Sequence, residues 1–516
     1  MQRLASAAEM KAIDRRATAE WHIPGMALME NAGRAVVDAI ARRFDGVNGR
    51  DFVVFCGRGN NGGDGFVIAR LLKERGAHVT CLLLGSVAEL EGDAKVHHDT
   101  LAAMGTPVRA VVSAEEIATL LSSCPIVVDA ILGTGLTGTP RGIVADAIDR
   151  LRRSDCRVVS VDVPSGVDSD TGTTPGAAVA AELTVTMGLG KCGLYLYRGR
   201  ALAGAIEIAD IGFPAELLAG GRTFLLDEAH IHTIMPVRAP DGHKGTFGTA
   251  LLVAGSRGFS GAACLAGAAA VRSGCGLVRL AVPRGICNIV ESNVLEATKA
   301  PMPETAGEAL GLAALDELIE LSRHADAVGI GPGIGTAPET QALMLELLPR
   351  LTRPVLIDAD GLNNLAGRLD ELALAKAPVI LTPHPGEFSR LAGLTPQQVN
   401  ADRIGTSREF ATRHHVTLVL KGASTVIAGP DGQVLVNPTG NSGLASGGTG
   451  DVLSGLLVGL LAQGMSPLDA AAAAAFLHGR AADIAVRQFT EYCLTASDVI
   501  DHLPAAFRSV LTPAVL

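Results

Sequence analysis

The sequence predicts a two-domain α/β protein built on parallel sheets. Short apolar runs rich in β-branched residues alternate with helical patterns along the whole chain. The strand-like runs are continuous rather than alternating, as in sheets covered by helices on both faces. The alternation lapses once, near residue 220, and then restarts. In the first series DFVVFC (51–56), HVTCLLL (78–84), IVVDAIL (126–132) and RVVSVDV (157–163) read as strands, with helical stretches such as FVIARLLKERG between them. After AIEIADIGFP (205–214) comes a polar segment bearing Pro236 and Pro240. A second series then runs through TALLVAGS (249–256), GLVRLAV (276–282), AVGIG (327–331), PVLIDAD (354–360), PVILTP (378–383) and VTLVLKG (416–422). The expected domains are therefore 1–220 and 221–516, with no internal repeat between them. The alanine run 470–475 reads as buried helix, because alanine is the strongest helix former.

Composition narrows the function. At 48% hydrophobic and 19% charged residues, this is an ordinary globular chain. Its net charge of −10 argues against nucleic-acid or anionic-membrane partners. Phosphate ligands would have to be held by local N–H groups and a few Lys or Arg. The nine cysteines are scattered, odd in number and form no CxxC, which favours a reducing compartment. The first residues, MQRLASAAEMKAIDRRATAE, carry early charges and no apolar core, so no signal peptide is expected. The longest apolar runs, near 452–462 and 470–477, fall short of the ~20 residues of a membrane span. A cytoplasmic location is expected.

The segment NPTGNSGLASGGTGDVLSG (437–455) carries the most chemistry. Glycines bare the backbone N–H groups, and the apolar run that follows reads as a helix. A helix start with exposed N–H groups favours anions. Asp451 falls in its first turn, where a carboxylate beside a bound phosphoryl group can deprotonate a hydroxyl. The plainer alternative is a flexible Gly-rich loop with Asp451 as a helix-start residue. Lys421, followed by Gly422 to Thr425, comes directly after a strand and offers a point charge with N–H groups to a phosphate.

In the N-terminal half, GRGNNGGDGF (57–66) and GTGLTG (133–138) both match GxGxxG. A dinucleotide fold needs an acidic residue at the end of the next strand. After Gly62 there is none; after Gly138 there is Asp162, so a dehydrogenase reading stays open. Against it, the Asn60–Asp64 loop, Asp129 with the 133–139 loop, and Asp162 to Gly166 all end strands of one sheet. Side-chain oxygens of Asn61, Asp129 and Ser165 can meet at that edge and suit a hard cation. Ordinary turn chemistry explains the same residue types. Asp162 is the candidate acid/base or hydroxyl-orienting group. His97-His98 and His414-His415 lack metal-ligand spacing and are expected on surfaces.

GRGNNGGDG, DAILGTGLTGTPRG, SVDVPSGVDSDTG, TMGLGKCG and IADIGFP resemble, in order, the blocks of the NAD(P)H-hydrate epimerase domain, over roughly residues 1–215. The resemblance implies a Rossmann-like three-layer fold. It implies substrate binding by Asn60, Asn61, Gly62, Gly63 and Asp64, by Gly133, Thr134, Gly135, Leu136, Thr137, Gly138 and Thr139, and by Asp162. It also implies K+ ligation by Asn61, Asp129 and Ser165. Arg58 stands where many members have Pro, outside the ligand positions.

HKGTFGTALLVAGS, FSGAACLAGAAAVRSGCGLV, GIGPGIG, LIDADGLN, LTPHPGE, LKGAST and the GTGD segment look like the ADP/ATP-dependent NAD(P)H-hydrate dehydratase, a relative of the ribokinase-like kinases. That likeness covers nearly all of 225–505 and implies a ribokinase-like three-layer fold. It implies that Lys421, Gly422, Ala423, Ser424, Thr425 and Gly450 bind the adenine nucleotide. It assigns Ala262, Gly333, His384 and Asp451 to the hydrate. His384 also reads as a turn-capping histidine between two prolines.

Together the resemblances imply repair of hydrated nicotinamide cofactors. The partners are NADHX, NADPHX and ADP or ATP with Mg2+, with ADP favoured by likeness to bacterial-type members although no residue decides it. A homo-oligomer is expected. Two other readings fit the residues: a kinase for a small vitamin-precursor alcohol, and a non-catalytic nucleotide- or RNA-binding N-terminal scaffold.

Overall fold

A computed structural model describes residues 1–111, 113–136 and 138–511. The chain divides into two compact units, Arg3–Thr223 and Phe224–Leu516, the latter taking in Met1–Gln2. Each is α/β, as the alternating pattern predicts.

The main sheet of the first unit has seven strands: β1 (Asp51–Cys56), β2 (His78–Leu83), β3 (Val108–Ala110), β4 (Ile126–Ala130), β5 (Val158–Val161), β6 (Leu183–Met187) and β7 (Ala205–Ala209). They lie in the order β3-β2-β1-β4-β5-β6-β7, every pair parallel. The order reverses between β1 and β4, the crevice where ligands bind in open α/β sheets. In register, Phe55 lies beside Asp129, and Asp129 beside Ser160. The central strands β1, β4, β5 and β6 are almost wholly buried, as expected of strands covered on both faces.

The second unit carries β8 (Thr249–Val253), β9 (Leu277–Pro283), β10 (Thr298–Met302), β11 (Ala327–Ile330), β12 (Val355–Ile357), β13 (Val379–Leu381), β14 (Thr417–Leu420), β15 (Val426–Ala428) and β16 (Val434–Val436). Their order is β10-β9-β8-β11-β12-β13-β14-β15-β16. The first seven are parallel, and β15 and β16 return antiparallel. The crevice here falls between β8 and β11.

Five helices matter to the sites: α1 (Asn60–Glu74), α2 (Ser260–Arg272), α3 (Pro385–Ala392), α4 (Thr449–Ala462) and α5 (Pro467–Ala485). Every residue of α4 from Val452 to Ala462 is buried, so its apolar character runs all round rather than along one stripe. It can lie against α2 because its facing positions are glycines. A Cβ on Gly455 would sit 1.9 Å from the Ala266 carbonyl oxygen, and one on Gly459 would sit 2.0 Å from Ser273 Oγ. The alanine run is buried helix within α5, as expected.

Several expectations change. The Asn60–Asp64 stretch is the first turn of α1, not a loop; the chain turns into helix directly behind Gly59. The segment read as a polar lapse contains a short strand, Thr223–Leu225, and a helix, Glu228–Ile234, capped by Asp227 through its bond from His230 N. His97 and His98 are buried in the helix Gly92–Ala103, with His98 edge-on to Phe66 at 5.4 Å, so the surface reading fails there. His414 is half-buried, its ring tilted against Phe410 at 4.5 Å between centroids, while His415 is exposed at the helix end. Among the described residues, no helix is long and apolar enough to cross a membrane.

The α2–α4 contact yields a test. Gly455→Ala should destabilise the C-terminal unit by about 1–3 kcal/mol despite alanine's higher helix propensity, because the added methyl meets backbone. Urea unfolding of the variant checks this; a gain in stability would contradict the packing described.

Candidate functional site

In the first unit, β1 ends at Cys56 and the chain enters α1 through Gly57, Arg58 and Gly59. Gly62 is required by proximity: a Cβ there would lie 1.9 Å from the Gly57 carbonyl oxygen. No side chain caps α1, so its first N–H groups, around Asn60 and Asn61, are unclaimed by a capping oxygen. Gly63 instead faces inward, against the Met29 thioether.

Asp129 lies in β4, fully buried. Ser160 Oγ donates to its Oδ2 at 2.8 Å, Ser165 N donates to Oδ2 at 2.9 Å, and Ser165 Oγ donates to Oδ1 at 2.5 Å. Burial pushes its carboxyl up, while these serine donors pull it down. Among the described residues no cationic side chain pairs with it. A buried carboxylate held only by neutral donors leaves one negative charge uncompensated.

Asp162 is treated differently. It follows β5 with a left-handed φ of 68°, uncommon for a residue bearing a Cβ. The buried Lys191 ammonium sits 2.6 Å from its Oδ1, and Thr186 Oγ1 and Met187 N donate to the same oxygen at 3.1 and 3.3 Å. The lone carboxylate at a strand end is therefore an ion-paired one. Sequence reasoning missed Lys191, although it stands inside the TMGLGKCG block. Gly133 shows that the pieces converge: a Cβ on it would lie 3.2 Å from Asn61 Oδ1 and 3.4 Å from Asp162 Oδ2. Asn61 Nδ2 is buried with no hydrogen-bond partner. Asp64 sits near this group, its carboxyl pushed well up by burial and then by Asp162 and Asp14.

Thr134, Gly135, Leu136, Gly138 and Thr139 follow β4 as a half-buried to exposed loop, with Thr139 Oγ1 donating to the Pro175 carbonyl at 3.2 Å. Thr137 lies outside the described residues.

In the second unit, Gly448 precedes α4 with a φ of 89°, a conformation that glycine adopts without steric cost. No side chain caps the helix. Asp451 falls in the first turn. Burial first, and then the neighbouring Asp358, push its carboxyl up to about 7; Lys421 opposes the rise. The carboxylate thus gains and loses its proton near neutrality, which suits a general base.

Lys421 follows β14. Its Nζ lies 2.9 Å from Asp358 Oδ1 and 3.8 Å from Glu387 Oε2, and a Cβ on Gly450 would come within 3.5 Å of it. Burial disfavours the ammonium, but Asp358 and Glu387 outweigh that and hold its pKa above the ordinary value. Beneath the loop, the buried Arg403 donates through Nη2 to the carbonyls of Leu420, Lys421 and Ser424 at 3.0–3.1 Å. It fixes the backbone that carries Lys421 to Thr425. Asp358, Glu387 and Arg403 were not assigned from sequence. The first two lie in the LIDADGLN and HPGE blocks, whose carboxylates were the available signal.

His384 is a helix cap. Its Nδ1 accepts from Gly386 N at 3.0 Å and Glu387 N at 3.3 Å, and its own N–H donates to Glu387 Oε2 at 2.8 Å. Burial lowers its pKa. A neutral ring accepting at Nδ1 carries its proton on Nε2, so the half-exposed edge offers a donor. Gly333 and Ala262 meet: a Cβ on Gly333 would lie 3.0 Å from the Ala262 Cβ and 2.8 Å from that of Phe259.

A lysine-bearing loop and a glycine-started helix with a carboxylate in its first turn define a ribokinase-like fold in the second unit, and the first unit has the Rossmann strand order. Residues 250–505 match the family described as NAD(P)H-hydrate dehydratase, and residues 25–193 match the family described as YjeF-related protein N-terminus. The chain is 43% identical to the bifunctional NAD(P)H-hydrate repair enzyme Nnr of Moorella thermoacetica, over 98% of this chain and 97% of that protein. It is 35% identical to the protein of the same name from Escherichia coli K12, over 92% and 88%. The crystal structure of the ADP/ATP-dependent NAD(P)H-hydrate dehydratase of Bacillus subtilis, co-crystallised with ATP/Mg2+, is 34% identical with a TM-score of 0.50, covering 56% of this chain and 98% of that one. The chain belongs to the family of bifunctional NAD(P)H-hydrate repair enzymes.

The raised Asp451 carboxyl has a thermodynamic signature. It is neutral in the folded chain and ionised in the unfolded chain between 3.8 and about 7, so folding loses stability as pH rises through that window. Asp451→Asn lacks this dependence. Its stability relative to wild type should climb between about pH 4 and pH 7 and level off above; denaturant unfolding across pH checks it.

Proposed function

We propose that residues 1–220 interconvert the R and S hydrates of NADH and NADPH, and that residues 221–516 dehydrate the S hydrate with ADP or ATP. The observation that carries the second half is Asp451, poised near neutrality at a glycine-started helix beside Lys421. Hydroxide is a poor leaving group, so the hydrate hydroxyl must first be activated. Asp451 takes its proton as the oxygen bonds to the terminal phosphorus, and the bond to the departing nucleotide breaks, releasing AMP from ADP. The N–H groups at the start of α4 stabilise charge on the phosphoryl oxygens. The ring nitrogen lone pair then expels phosphate, and loss of a proton from the adjacent carbon restores the dihydronicotinamide.

Lys421, Gly422, Ala423, Ser424, Thr425 and Gly450 hold the nucleotide in this reading, and Ala262, Gly333 and the Nε2 edge of His384 hold the hydrate. The site's carboxylates are largely committed to Lys421, Ser454 and backbone donors, so Mg2+ would ride on phosphate oxygens and water.

In the first half, Asn60 to Asp64, Gly133 to Thr139 and Asp162 bind the hydrate, with Asp162 orienting the hydroxyl or moving its proton. The uncompensated Asp129 carboxylate, with Ser165 and Asn61, fits K+, which would supply the missing positive charge at the crevice.

Asp451→Asn keeps size and removes the proton acceptor. NADH regeneration from pure S hydrate should fall on the order of 10²–10⁴-fold, with epimerisation unchanged. A variant that regenerates NADH at near wild-type rate contradicts the assignment. Asp129→Ala should weaken epimerisation and its dependence on K+ while leaving dehydration of the S hydrate intact, measured on separated epimers. Equal loss of both activities counts against the cation site.

A further inference from the structure

The C-terminal site contains a buried carboxylate that neither the nucleotide nor the hydrate assignment uses. Asp358 follows β12 and is only 1% exposed. Its Oδ1 pairs with Lys421 Nζ at 2.9 Å, and its Oδ2 accepts from Ser454 Oγ at 2.5 Å. Ser454 lies in α4, three residues after Asp451. The backbone here is strained: Ala359, the next residue, has a φ of 49°, which costs a residue with a Cβ. Asp358 also sits where α4 begins, for a Cβ on Gly450 would come 4.0 Å from its Oδ2. Its two oxygens thus tie the cation to the helix that carries the base.

Resting on the assignment of Asp451 as base, we propose that Asp358 is a positioning residue that holds Lys421 back from the phosphates and sets the proton affinity of Asp451. The two effects have one origin. Asp358 places a fixed negative charge between the cation and the base. It draws Lys421 toward the sheet, so the ammonium is shared between protein and nucleotide rather than given wholly to the phosphate. It also makes ionisation of Asp451 costlier, so the base stays strong enough to take a hydroxyl proton. Ser454 tunes this: its hydroxyl dipole offsets part of the Asp358 charge. Besides Asp358 and Lys421, the charged groups acting on Asp451 are Asp360 at the start of the next helix and Glu387 in the first turn of α3, while the His478 ring of α5 bonds the Thr449 carbonyl at 2.9 Å and His384 caps α3. None of these bridges the cation and α4 as Asp358 does.

The test is the pH profile of kcat for dehydration of S hydrate with ADP, on the full chain, in Asp358→Asn, Ser454→Ala and Asp451→Asn. Epimerisation and thermal melting serve as folding controls. In Asp358→Asn the acidic limb should move down by about one pH unit, as expected for removing a like charge within a few ångströms. KM for ADP should fall, because Lys421 is released to the phosphates. In Ser454→Ala, which keeps the carboxylate and covers the case in which Asp358→Asn does not fold, the limb should move up. A uniform loss of kcat in either variant, with the limb in place, overturns the proposal and leaves Asp358 a structural residue. Should Asp451→Asn remain active, the base assignment itself falls, and the two failures are thereby told apart.

Discussion

The Lys421 ammonium lies among Asp358, Glu387 and Asp451, one cation among several carboxylates. Buried charge is tolerated only when paired, and the pairing dictates where everything else can stand. Lys421 is held in place by Asp358 on one side and by the backbone that Arg403 grips on the other. Burial and then the surplus of negative charge at Asp358 raise the proton affinity of Asp451 toward neutrality. The groups assigned to base, phosphate binding and helix capping share one electrostatic account.

The first unit solves the same problem in two ways within one crevice. Asp162 receives a buried lysine as its partner, whereas Asp129 receives only serine hydroxyls and backbone donors. The first carboxylate is neutralised by the chain. The second has no cationic partner among the described residues, and its donors are serine hydroxyls and backbone N–H groups. That contrast separates a group suited to touch a substrate from one suited to hold a cation.

Parallel sheets account for the convergence in both units. Every β-strand of the first sheet ends at the same edge, so residues as distant in sequence as Asn61, Gly133 and Asp162 come within a few ångströms of one another. Most central strands were legible as apolar runs because helices cover both faces. β10 was not: its sequence, TKAPM, carries a proline and a lysine that an edge strand tolerates. β3 and the returning β15 and β16 are three residues long, too short for a pattern to register. The start of α1 was read as loop because Asn and Gly favour turns; here they open a helix whose N–H groups face the crevice edge.

The sequence by itself determined the α/β class, the two series of strands and the glycine-started helix bearing Asp451. Those features are local: periodicity, turn chemistry and residue type are written in adjacent positions. Only the tertiary structure decided the partners. It joined Lys191 to Asp162, Asp358 to Lys421 and Ser454, and Arg403 to the loop at Leu420–Ser424. It also buried His97 and His98. Charge pairing across tens of residues leaves no periodic mark in a sequence. It is settled by which strand ends the sheet order brings together, and by the cost of burying any one of these charges alone.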